Sequence, residues 1–245
     1  MVFQRTNGRN HRTRNMLVVT LLILPILILS ACSGNSDNNN NAKDNSSNNS
    51  ENKNTAFKVV IDPGHGGKDN GATGAGGQYE KSFTLSLSKK MEKMLEQESE
   101  MEVFMTRTDD SFISQESRYR PKYANNHNAD VFVSIHGNTF SNPSVSGTET
   151  FYYHNNSRQF AQILQKHVVE AGGFRDRGIK KKDLFVVRDT NMPAALIEVG
   201  YLTNPDNESI MRTDGFQSRV AASIVEGIKE YKEQSDKQGF LNWGS

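Results

Sequence analysis

Phe57-Lys58-Val59-Val60-Ile61-Asp62-Pro63-Gly64-His65-Gly66-Gly67 opens as a short β-branched run and closes in a glycine-rich turn. A strand that stops at Asp62-Pro63 presents His65 on a tight turn just past its carboxyl end. The glycines around His65 would let another backbone approach closely. Downstream, further short runs predict strands at Glu102–Thr106, Val131–Ile135, Gly147–Tyr153 and Ala195–Val199. Helical stripes lie among them: Phe83, Leu87, Met91, Met94 and Leu95, then Phe160, Ile163, Leu164, Val168 and Ala171, then Phe216, Val220, Ile224, Ile228 and Tyr231. Gly172 and Gly173 are a stop signal for the second stripe. Strands alternating with helices predict an α/β fold, a single-domain sandwich with a central mostly parallel or mixed sheet flanked by helices.

Four polar residues fall where these elements end or begin. His65 follows the first strand, His136 follows Val131–Ile135, Glu198 follows Ala195–Ile197, and Glu80 starts the first helix after a glycine-rich loop. In open α/β sheets the carboxyl ends of strands form the ligand-binding edge, so residues distant in sequence can converge there. Two imidazoles and a carboxylate, with a fourth group nearby, are what a catalytic zinc needs. Taken singly, each has a plainer reading. Glu80 could serve the helix dipole alone, and either histidine could be a hydrogen-bonded turn residue. Glu198 resists that reading, because a carboxylate interrupting an apolar central strand is costly unless a metal, a proton or a donor compensates it. His65, Glu80 and His136 do not make a compact metal motif, so spacing leaves the choice open.

The chain has 245 residues, 29 basic and 28 acidic, for a net charge of +1. Intermixed charges give no basic face for phosphates, which argues against a nucleic-acid partner. Arg5, Arg9, Arg12 and Arg14 precede an apolar run, Met16–Leu29, that is short for a permanent span and suits a secretory signal. Leu29-Ser30-Ala31-Cys32 resembles the lipobox of bacterial lipoproteins, and Cys32 is the chain's one cysteine. The competing reading is an uncleaved signal anchor, and both put the domain outside the cytoplasm. From Ser33 to Thr55 the sequence is Asn, Ser, Asp and Lys-rich without large apolar residues, a flexible tether of about 25 Å as a coil and roughly 75 Å if extended. The expected organisation is a lipoprotein signal peptide over 1–31, lipidated Cys32 and tether over 32–55, a catalytic domain over 56–234 and a tail over 235–245.

Val59–Gly67, Glu80, Val133-Ser134-Ile135-His136-Gly137-Asn138 and Pro193–Asn204, in that order, resemble the type 3 N-acetylmuramoyl-L-alanine amidase family. The resemblance covers the chain from Phe57 to about Tyr231 and departs at Gly137, where many members have alanine. It implies that His65, Glu80 and His136 ligate one Zn2+ and that Glu198 is catalytic, hydrolysing the amide between N-acetylmuramic acid and L-alanine in peptidoglycan. Many members append wall-binding repeats. None is visible here, and the lipid on Cys32 is expected to hold the enzyme at the outer face of the cell membrane instead. Besides peptidoglycan and membrane, the resemblance leaves room for an unidentified protein activator. Asp62 and Asn138 are candidates to orient the imidazoles, with turn or strand capping as the alternative, and Arg188 could meet a peptide-stem carboxylate. A zinc carboxypeptidase or deacetylase, or a wall-binding scaffold without turnover, are the competing functions.

Overall fold

The computed structural model describes residues 56–243, with side chains to residue 239. The expected signal peptide, Cys32 and the tether lie outside the described residues. Six strands form one mixed sheet in the order β2-β1-β3-β6-β4-β5. β1 (Phe57–Pro63), β2 (Met101–Met105), β3 (Val131–Asn138) and β6 (Ala194–Tyr201) run parallel. β4 (Thr148–Tyr152) pairs antiparallel with β6, and β5 (Asp176–Lys181) runs parallel to β4 at the edge.

Side chains alternate between the faces of a strand, so residue parity decides which layer each joins. Register keeps parity in step across the centre of the sheet: Ile61 pairs with Val133, Asp62 with Ser134, and Ser134 with Leu196. Odd-numbered Val59, Ile61, Val131, Val133, Ala195 and Ile197 enter one core. There they meet Phe83 and Leu87 of α1 (Glu80–Leu95), Phe160 and Leu164 of α3 (Arg158–Gly172), and Phe216 and Ile224 of α6 (Asp214–Trp243). Even-numbered Val60, Phe132, Ala194 and Leu196 enter a smaller core with Ala124 of α2 (Tyr119–Asn126) and Val186 and Val187 of α4 (Phe185–Arg188). Because α2 has 8 residues and α4 only 4, the even face is less covered.

The five expected strands and three expected helices are present. β5, α2, α4 and α5 (Pro205–Met211) are additions. The α3 stop is a left-handed Gly173 at φ +70°, and α5 starts on Asn204, whose side chain accepts from the Asn207 amide at 2.9 Å. α6 continues past Gln234 to Trp243, into the stretch expected as a tail. No helix among the described residues is long and apolar enough to cross a membrane.

Candidate metal centre

Parity and register bring the chemistry together. His136 and Glu198 are Cα partners across β3 and β6, both of even number, at the carboxyl end of the parallel strands. Leu196 precedes Glu198 on the same face, so β6 changes from apolar filling to chemistry within two residues, while on β3 the residue before His136 on that face is Ser134, whose hydroxyl bonds Asp62.

His65 stands on the turn after β1 in the left-handed region, φ +61°, which a β-carbon disfavours. Its Nδ1 meets Asp69 Oδ1 at 2.9 Å, and the same oxygen accepts the Gly71 amide at 3.1 Å. A carboxylate behind an imidazole fixes the ring's tautomer and direction. Its Nε2 then faces Glu80 Oε2 at 3.1 Å. Glu80, the first residue of α1 and 4% exposed, accepts the Ala72 amide at 2.9 Å and the Gly137 amide at 3.0 Å. His136 Nδ1 lies 2.9 Å from Glu80 Oε1, and the two imidazole rings meet edge to face at 5.0 Å. One ligand atom from each of His65, Glu80 and His136 falls within 4.8 Å of the others.

Two glycines make the room. A β-carbon on Gly64 would sit 2.3 Å from His136 Cε1. One on Gly71, φ +64°, would sit 2.6 Å from both Glu80 Oε2 and His65 Cδ2.

The electrostatics separate the two carboxylates. Burial alone would raise Glu80, but the bonds to His136 and His65 overcome it and hold Glu80 far below the usual carboxylate range. Burial would lower His65, yet Glu80 and then Asp69 bring it up. Glu198 behaves oppositely: burial, with Glu80 and Glu149 close by and only partial relief from His136, pushes it up to about 7. Its Oε2 is sealed from solvent and has no hydrogen-bond partner. The donor set of two imidazole nitrogens and a carboxylate oxygen, with an orphaned buried carboxylate oxygen beside it, fits a zinc ion and a water.

The other expected residues lie elsewhere. Asp62 is fully buried and touches neither imidazole. It accepts from Thr106 at 2.6 Å and Ser134 at 2.7 Å and pairs with Arg120, which together hold it below the usual carboxylate range against its burial. Asn138 donates to Glu149 rather than to an imidazole. Buried Glu149, opposite Glu198 on β4, also accepts from Tyr201 at 3.0 Å and pairs with Lys180. Arg188 is committed to Asp183 at 2.6 Å and Asp189 at 2.7 Å. Sequence reasoning missed Asp69, Arg107, Arg120 and Glu149. Only Asp69 carried a local signal, a carboxylate four residues after a candidate ligand. Beside the centre a cavity of about 190 Å³ is walled by Ile113, Leu184, Phe185, Val186 and Leu196.

Residues 59–230 match the family model described as N-acetylmuramoyl-L-alanine amidase. The chain is 39% identical over 180 residues to the YqiI protein of Bacillus subtilis, covering 72% of this chain and 85% of YqiI. It is 34% identical to the probable cell wall amidase LytH of Staphylococcus aureus, over 71% of this chain and 57% of LytH, so it spans little more than half of that relative. The fold superposes on the catalytic domain of CwlV, an N-acetylmuramoyl-L-alanine amidase from Bacillus (Paenibacillus) polymyxa, with a TM-score of 0.70 and 44% identity, over 72% of this chain and 98% of that domain. With the family model matched across nearly the whole described domain, the chain belongs to the N-acetylmuramoyl-L-alanine amidase family of enzymes.

Proposed function

We propose that this protein is a zinc-dependent peptidoglycan amidase that hydrolyses the bond between N-acetylmuramic acid and L-alanine, with His65, Glu80 and His136 holding one zinc ion and Glu198 acting as the general base. The observation that carries the reading is the convergence of two imidazoles and a carboxylate within 4.8 Å, beside an unpaired buried carboxylate oxygen. Bound there, zinc would supply Lewis-acid activation of water and of the scissile carbonyl.

The chain's own groups do the rest. Asp69 fixes the His65 ring so that Nε2 faces the centre. Glu198 removes the proton of the attacking water at its free Oε2 and returns it to the departing L-alanine amine. Its raised affinity for protons suits both halves of that exchange, because a carboxylate near neutrality can take a proton and give it up. The apolar wall of Leu184, Phe185, Val186 and Leu196 gives the methyl groups of the lactyl and alanyl units a surface and keeps bulk water from the far side of the amide.

Extracytoplasmic action, with a lipid on Cys32 holding the enzyme at the membrane, belongs to the same proposal and rests on the signal-like N-terminus and the lipobox-like Leu29–Cys32. Purified peptidoglycan digested by the enzyme should release intact stem peptides beginning with a free L-alanine amine, seen by mass spectrometry, and a chelator should abolish the release. New amino groups on sugars, or stems shortened from the carboxyl end, would replace this reading with a deacetylase or a carboxypeptidase.

A further inference from the structure

The turn that carries His65 is gripped by two buried guanidinium groups, of which that of Arg120 also lines the cavity beside the centre. Arg120, 5% exposed, donates Nη1 to the Pro63 carbonyl and Nη2 to the His65 carbonyl, each at 2.7 Å. Arg107, 4% exposed, donates Nε to Pro63 O at 3.0 Å and Nη2 to Gly64 O at 2.7 Å. Three successive carbonyls are therefore fixed by two planar forks. One of the three belongs to the left-handed residue that offers the imidazole.

Charge does not explain this arrangement. Asp62 is the one carboxylate that hydrogen-bonds Arg120, and Arg107 is satisfied by carbonyl and hydroxyl oxygens alone among the described residues. Asp69 offsets part of the Arg120 charge and Asp109 and Asp110 part of the Arg107 charge through space, but none of these three carboxylates hydrogen-bonds either guanidinium, so charge balance does not set which carbonyls are gripped. Nor is a buried pair of this kind a strong source of stability compared with apolar filling. What the forks supply is direction. A guanidinium offers rigid, planar, paired donors that a lysine cannot reproduce.

We propose that Arg120, anchored by Asp62, is a positioning residue for the metal ligand His65, holding the strained turn by its carbonyl so that the imidazole faces Glu80 and His136. The proposal rests on the metal reading above and deepens it, adding a backbone-directed support to the carboxylate-directed one from Asp69. Substituted outer groups of this kind typically weaken metal affinity by about 10 to 100-fold.

The test is a double-mutant cycle on zinc affinity, measured on the full chain by competition with a chromophoric chelator, with folding followed by circular dichroism. Arg120→Lys should fold and bind zinc more weakly by about 10 to 100-fold, and kcat should fall with KM little changed. In a His65→Ala background, Arg120→Lys should lower the remaining zinc affinity no further, because its effect passes through that imidazole. A folded Arg120→Lys protein that binds zinc as tightly as the wild type would overturn the proposal, as would an equal loss in both backgrounds. If Arg120→Lys does not fold, Asp62→Asn, which removes the anchor's charge and keeps its size, goes through the same cycle with the same criteria. A wild-type protein that takes up no zinc would instead overturn the metal reading.

Discussion

The two faces of the sheet are built from the same strands and end in different trades. On the odd-numbered face, three long helices seal Val59, Ile61, Val133, Ala195 and Ile197 completely. On the even-numbered face, the short α2 and α4 cover Val60, Phe132 and Leu196 and then stop. His136 and Glu198 stand just past the point where cover ends. Stability and chemistry are thereby assigned to opposite parities of one set of residues, and a single substitution can test which trade a position belongs to.

The largest expected effect is at Glu198. Glu198→Gln keeps size and loses the base, so kcat should drop by about a thousandfold, roughly 4 kcal/mol, while zinc content stays unchanged. Wild-type turnover of purified peptidoglycan by this variant would end the assignment of a base to the even face. Leu164, fully buried in the odd-face core, should behave in the opposite sense. Leu164→Ala should destabilise the domain by about 3 kcal/mol in denaturant titrations, with activity per folded molecule unchanged. A loss of specific activity in the folded fraction would mean that the faces are coupled.

A smaller effect sharpens the comparison further. Glu198 binds its proton more tightly in the fold than in the unfolded chain, up to about 7 against the usual 4.5. The fold therefore favours the protonated form. Glu198's contribution is most favourable below the unfolded value and is lost as pH rises from there through about 7. In metal-free protein, Glu198→Gln should gain on the wild type by about 2 kcal/mol between pH 4 and pH 8, a figure reduced from the full shift because the side chain is only partly buried. A difference independent of pH would show that Glu198 carries no such penalty. Metal should erase the gain, because a divalent cation beside the carboxylate favours its charged form.

The odd face and its helices were legible because apolar spacing is periodic wherever a long helix meets a strand, as in Phe83, Leu87 and Met91. The edge strand β5 was not. Asp-Arg-Gly-Ile-Lys-Lys has no apolar alternation, since an edge strand is held by backbone pairing to β4 and needs little burial. α2 escaped for a related reason: Tyr-Arg-Pro-Lys-Tyr-Ala-Asn-Asn contains a proline and buries a single apolar residue, Ala124, besides that proline. In the candidate centre, the convergence of His65, Glu80 and His136 rested on family likeness more than on spacing. Arg107 and Arg120 were invisible, because most of their partners are backbone carbonyls, and a carbonyl leaves no mark on sequence. Asp62 and Asn138 lie near the histidines along the chain, whereas the carboxylate behind the His65 imidazole is that of Asp69.

β5 also closes the sheet with Lys180 and Lys181, and Lys182 follows at once. Lys180 is drawn inward to Glu149, while the ammonium groups of Lys181 and Lys182 lie over the rings of Tyr153 and Phe151. An open sheet margin is a template for another copy's strand, and clustered ammonium groups make that union repulsive. Molecules crowded side by side on a common surface would meet such margins often, so this border should keep a dense population monomeric, and its insulation should weaken as salt rises.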